Sequence, residues 1–137
     1  MDFKHLLGLH TGSRTDTMVV CHVDPVVSVY LGCRSNKVLL SYETVQKQLA
    51  HHPELPISHY QIVHSALRMG AFHRCNKRPR AAVVLYVDTR QFHTVFRLYV
   101  KGTACGREIY LVSLTRINDR VYRKELRKGR RVLRAHR

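Results

Sequence analysis

The chain has 137 residues, 45% of them hydrophobic, and carries 24 Lys and Arg against 9 Asp and Glu, a formal net charge of +15. Such a length and apolar content give one ordinary domain with a real core, which excludes a disordered tail. The charge favours a polyanionic partner, foremost RNA or another nucleic acid, without separating an enzyme from a binder.

No apolar run approaches the ~18 residues of a membrane-spanning helix, so no membrane association is expected. The opening MDFKHLLGLHTGSR lacks the apolar stretch and cleavage site of a secretory signal, and a soluble, non-exported protein is expected. Residues 1–17 read as a short helix or a loose arm around Leu6, Leu7 and Leu9. TMVVCHVDPVVSVYLGC, 17–33, predicts two short extended segments around a turn at Asp24-Pro25. CRSNK, 33–37, is a turn, and KVLLS leads into the first clear helix.

Ser41 is a good N-cap for that helix, with Glu43 in its first turn beside the positive end of the helix dipole. Val45, Leu49 and His52 then share one face, which aims His52 at the core or a cleft edge and leaves His51 solvated. Pro53 ends the helix. A second helix is predicted with Ser58 as its cap, Tyr60, Val63 and Leu67 on one face, Ala66 beside them, and Gly70 as its C′ residue. AFHRCNKRPR, 71–80, reads as a basic connection.

The periodicity then changes. AAVVLYVD, 81–88, reads as a buried strand. FHTVFRLYVKG, 92–102, alternates, with Phe96, Leu98 and Val100 facing one way and Arg97, Tyr99 and Lys101 the other. REIYLVSLTRI, 107–117, is a third strand, with Tyr110, Val112 and Leu114 on one face and Leu111, Ser113 and Thr115 on the other. The three strands predict an antiparallel meander. Residues 118–137 form a basic amphipathic segment, with nine Arg or Lys among residues 120–137. The predicted class is α+β, two helices followed by an antiparallel meander sheet with a basic C-terminal extension.

The chemistry suggested is metal-free cleavage of RNA. A polar, cationic sheet face carrying Arg97, Tyr99, Lys101, Ser113 and Thr115 makes a floor for a phosphodiester, with His52 at its rim. The attacking 2′-hydroxyl must lose a proton, the leaving 5′-oxygen must gain one, and the phosphorane needs cationic donors. A histidine moves protons near neutral pH, and Arg and Lys clamp phosphate. Arg116, Arg123, Lys124, Arg127, Lys128, Arg130 and Arg131 extend the nucleic-acid-binding charge. No cofactor or metal is expected, because D-x-D, H-E-x-x-H and C-x-x-C are all missing. Cys21, Cys33, Cys75 and Cys105 are expected to be reduced thiols; a zinc-stabilised binder using Cys21, His22, Cys33 and Cys75 is the weakest alternative.

The order of HHPEL, VVLYV, FRLYVK and EIYLVSLTR over residues 37–117 resembles the phage-associated barnase–EndoU–colicin–RelE-like nuclease domains. The resemblance implies a barnase-like fold and a metal-independent, RNase-like function, toxin-like in a phage or prophage setting. It implies His52 as the acid/base, Lys101 and Arg97 as phosphate contacts, and Ser113 or Thr115 as a last-strand hydroxyl. His51 stands where the family often has Arg or Lys, so either histidine of the pair is a candidate for the proton transfer. Residues 1–36 and 118–137 lie outside the resemblance, as an N-terminal extension and a basic segment. The implied setting is the bacterial cytoplasm or the virion, with an acidic inhibitor protein and phage particle proteins as further partners. The alternative is a non-catalytic nucleic-acid binder or phage structural protein on the same scaffold.

Overall fold

The computed structural model describes residues 1–54, 56–75, 77–128 and 131–133. The helices are α1 (Phe3–Thr11), α2 (Pro25–Tyr30), α3 (Tyr42–His51), α4 (Val63–Met69) and α5 (Asp119–Lys128). The strands are β1 (Met18–His22), β2 (Lys37–Leu40), β3 (Ala71–Arg74), β4 (Ala81–Asp88), β5 (Thr94–Gly102), β6 (Ile109–Ile117) and β7 (Arg131–Leu133). A 3-10 stretch, Ile57–Ile62, precedes α4. The seven strands form one mixed sheet in the order β1-β2-β6-β5-β4-β3-β7. Among the described residues only β2 and β6 pair parallel. The class is therefore α+β, with β5 at the centre of the sheet.

β4, β5 and β6 pair antiparallel in chain order, with Leu98 opposite both Val84 and Leu114. Alternation along β5 buries Phe96, Leu98 and Val100 completely. They meet Leu6 and Leu9 of α1, Val45 of α3 and Val63 and Leu67 of α4 in one core. The other sheet face carries a smaller cluster, Val83, Leu85, Val95 and Ile117, against Val121 and Tyr122 of α5. Residues 1–36 are woven into the same sheet and core, since β1 pairs with β2 and Leu6 and Leu9 are fully buried.

Several expectations are corrected. The second segment of 17–33 is the helix α2, because Asp24 accepts from the Val26 N–H as N-cap and Pro25 occupies the first turn. That pairing of cap and proline starts a helix in spite of three valines. Residues 71–74 are the strand β3, paired with β4, and not a connection. The helix expected to start at Ser58 begins as the 3-10 stretch, and Pro56, without a side-chain bond, stands before it. Gly70 has φ −69, so no left-handed cap is used; a Cβ there would lie 2.5 Å from the Ala66 carbonyl oxygen and 2.7 Å from Val84 Cγ1.

The faces of β6 also differ from a simple alternation. Tyr99 pairs with Ser113, but Val100 pairs with Leu111, so Val112 is an extra residue in the ladder. This bulge puts Leu111 and Leu114 together in the core and leaves Val112 42% exposed.

Sheet pairing also stops early on the other side of β6. β2 meets β6 only at Ile109 and Tyr110, so among the described residues no strand pairs with the second half of β6 on that edge. Gln48 of α3 takes the place of one. Its buried side-chain amide donates to the Leu114 carbonyl at 2.6 Å and accepts from the Leu114 N–H at 3.4 Å. Gln48→Met removes both bonds at similar length and leaves two backbone groups unmatched. A loss of about 2–4 kcal/mol in urea unfolding is expected, against near-neutral change for the exposed Lys47→Met.

Candidate functional site

Beyond Gln48 the free edge of β6 opens into a cavity of about 380 Å³, lined among others by His52, Glu54, Arg97, Thr115, Arg116 and Val121. Arg97 and Thr115 are direct partners on the α5 side of the sheet, while Arg116 lies opposite Phe96 on the core side. The cavity therefore wraps around a strand edge, between the end of α3 and the start of α5.

Local sequence explains how His52 arrives there. Ser41 accepts from the Thr44 N–H and starts α3; His52 ends it, its N–H donating to the Gln48 carbonyl. Pro53 then turns the chain so that Glu54 comes back beside the ring. His52 Nδ1 is 3.3 Å from Glu54 Oε1, with the two side chains 43% and 67% exposed. The Glu54 carboxyl is held below its ordinary value, first by its own backbone N–H, which outweighs the opposing effect of desolvation, and then by His52 and the charge of Arg116. An ionised carboxylate only accepts, so Nδ1 is the donor and Nε2 is left for a substrate proton.

The two arginines differ in charge balance. Arg97 is 24% exposed and its Nη1 is 3.3 Å from Glu125 Oε1 of α5. Lys128 Nζ reaches the same oxygen at 3.7 Å. Arg116 is exposed and has no carboxylate within ion-pair distance among the described residues. Its backbone N–H faces the free edge as that of Leu114 does, by the two-residue period of a strand. Thr115 Oγ1 lies 3.5 Å from the Arg97 carbonyl oxygen, at the limit of a hydrogen bond.

The expected site residues are thus divided between two cavities and the surface. His52, Arg97, Thr115 and Arg116 line the edge cavity. Tyr99, Lys101 and Ser113 line a second cavity of about 350 Å³ further along the same sheet face. His51 is exposed at the end of α3 and lines neither. Arg123, Lys124, Arg127 and Lys128 are exposed on α5. Arg130 lies outside the described residues, and Arg131 opens β7. Sequence reasoning missed Glu54 as a partner of His52, although the HPE string contains it. Gln48 and Glu125 were also missed, since only the tertiary fold supplies their partners.

His59 is a further buried neighbour. It is 5% exposed, stacks edge-on against Phe92 at 4.3 Å and Phe96 at 5.6 Å, and its Nδ1 has no hydrogen-bond partner among the described residues. Burial, then the charge of Arg116, lowers its pKa. A base depressed in the fold takes up its proton more readily when unfolded, so stability falls as pH drops below the unfolded value of ~6.5. His59→Phe keeps an aromatic ring there and removes the titration. A flatter stability curve on the acid side is expected, read from urea midpoints between neutral and mildly acidic pH.

Among the described residues no three His, Cys, Asp or Glu side chains gather in a way that would hold a metal ion. Cys21 and Cys33 are buried free thiols, and Cys21 and Cys33 both have their pKa raised by burial. No helix among the described residues is long and apolar enough to cross a membrane. Comparison with protein-family profiles, curated proteins and solved structures finds no match for this chain.

Proposed function

We propose that the chain is a metal-independent RNase-like domain of the phage-associated barnase–EndoU–colicin–RelE-like kind, cleaving RNA at the edge cavity of β6. The observation that carries this reading is the convergence of one carboxylate-partnered imidazole, two arginines and a threonine hydroxyl on that cavity. The antiparallel order β4-β5-β6 behind His52-Pro53-Glu54 supports a barnase-like meander, and the net charge of +15 suits an RNA partner.

In this reading His52 Nε2 takes the proton of the 2′-hydroxyl while Glu54 holds the ring and stabilises the imidazolium. The 2′-oxygen bonds to phosphorus, the bond to the 5′-oxygen breaks, and water in the open cavity protonates that oxygen. Arg116 and Arg97 hold the phosphate oxygens, where the phosphorane concentrates negative charge. The product ends in a 2′,3′-cyclic phosphate. Lys101 and Ser113, away from this cavity, serve binding and not proton transfer.

The test is incubation of the purified chain with end-labelled RNA in EDTA. Fragments ending in 2′,3′-cyclic phosphate are the expected result. Binding without any cleavage would overturn the nuclease reading in favour of a basic nucleic-acid-binding module.

A further inference from the structure

We infer that the second cavity is a nucleotide-binding subsite that holds single-stranded RNA beside the cleavage cavity, stacking a base on Tyr99 and holding its phosphate with Lys77, Arg78 and Lys101. The inference rests on the RNA reading above and adds to it a second contact region with its own residues.

Three observations meet there. The first is the cavity itself, about 350 Å³, whose lining includes Lys77, Arg78 and Lys101 and no Asp or Glu. The second is an apolar floor. Val112, the extra residue of the β-bulge, is 42% exposed and lines this cavity together with Ser113 and Tyr99. A base needs such a flat apolar surface, and its phosphate needs the cations around it. The third is continuity. Arg97 lines the cleavage cavity and Tyr99 lines the second, two residues apart on one face of β5, a rise of about 7 Å. Thr115 and Ser113 repeat that step on β6. The Arg97 guanidinium carbon sits 5.6 Å from the Tyr99 ring centroid, which joins the two cavities through one cation–π contact.

The direction of the sheet thus supplies a track: a phosphate at Arg97 and Arg116, and a neighbouring base and phosphate at Tyr99 and Lys101. Single-stranded RNA fits because its bases are free to stack; in a duplex they are not. An aromatic platform with surrounding cations also tolerates any base, so weak sequence preference is expected at this position.

The experiment titrates a short fluorescent single-stranded RNA into the full-length His52→Ala chain, which spares the probe, over a range of salt. Replacing both Lys77 and Arg78 by Ala is expected to reduce the log–log salt slope by about 1.4, the contribution of two phosphate contacts to a single strand. Tyr99→Leu is expected to weaken binding about tenfold, with Tyr99→Phe retaining the affinity because the ring remains. The paired duplex is expected to be insensitive to Tyr99→Leu. Unchanged affinity and slope in these variants would overturn the subsite, even if the wild-type chain cleaves RNA in EDTA. Loss of affinity through the cations with no effect of Tyr99→Leu would overturn the nucleotide assignment and leave a general polyanion surface. Expected binding changes in a chain that never cleaves RNA would keep the subsite and overturn the nuclease.

Discussion

His52→Ala is expected to lower the rate of RNA cleavage in chelator by about 10²–10⁴-fold, the usual contribution of a positioned proton-transfer group. The argument is positional. Among the described residues His52 is the one imidazole that lines the edge cavity, and its Nδ1 already faces Glu54. Its neighbour His51 is exposed and outside the cavity, so His51→Ala should remain close to wild type. Glu54→Gln should fall between them, because the contact is 3.3 Å and both side chains are solvated. The measurement is the initial rate of cyclic-phosphate formation, with RNA affinity and the urea midpoint taken on the same samples. An inactive His52→Ala chain that folds and binds RNA as wild type does assigns the loss to chemistry. Equal losses in the His51 and His52 variants would remove the distinction the cavity makes, and retained cleavage in both would place the reaction elsewhere.

The parts of the molecule that were legible in the sequence are those where one local signal decides the outcome. Phe96, Leu98 and Val100 alternate with polar residues, and a half-covered central strand must bury that set. Ser41 caps α3 because its hydroxyl can accept from an otherwise orphaned N–H, whatever the rest of the fold does. The illegible parts depend on partners far along the chain. Val45, Leu49 and His52 mark one helical stripe, but the buried polar residue of α3 is Gln48, whose partner is the backbone of Leu114. Propensity misleads for α2, where three valines argue for a strand and the Asp24-Pro25 start wins. The bulge at Val112 leaves no composition signal at all, yet it decides which side chains of β6 share a face. The candidate site follows the same division. His52 was visible from its helix end, whereas the separation of Lys101 and Ser113 from His52 into different cavities is set by the sheet register.

Charge balance around the cavity leads to the second large effect. Arg116→Ala is expected to reduce kcat/KM by about 10²–10³-fold, the size of losing one well-placed donor to a transition-state oxygen. Arg97 is adjacent and also cationic, but Glu125 lies 3.3 Å from it and already satisfies part of its charge. A phosphate arriving at Arg97 must compete with that carboxylate, while Arg116 has no carboxylate within ion-pair distance among the described residues and feels Glu54 only across the cavity. Arg97→Ala should therefore cost less catalysis and more stability, since it strands Glu125, whose side chain is only 12% exposed, beside Lys128 alone. Glu125→Gln should act in the opposite sense, freeing Arg97 and tightening RNA binding several-fold at low salt. Arg116→Lys separates charge from geometry: it keeps the cation and loses the planar two-pronged donor, so partial activity is expected. Steady-state rates on the four variants, with urea midpoints, check the ordering. A larger catalytic loss at Arg97 than at Arg116 would mean that the substrate displaces Glu125, and the electrostatic centre of the reaction would then move to the α5 side of the sheet.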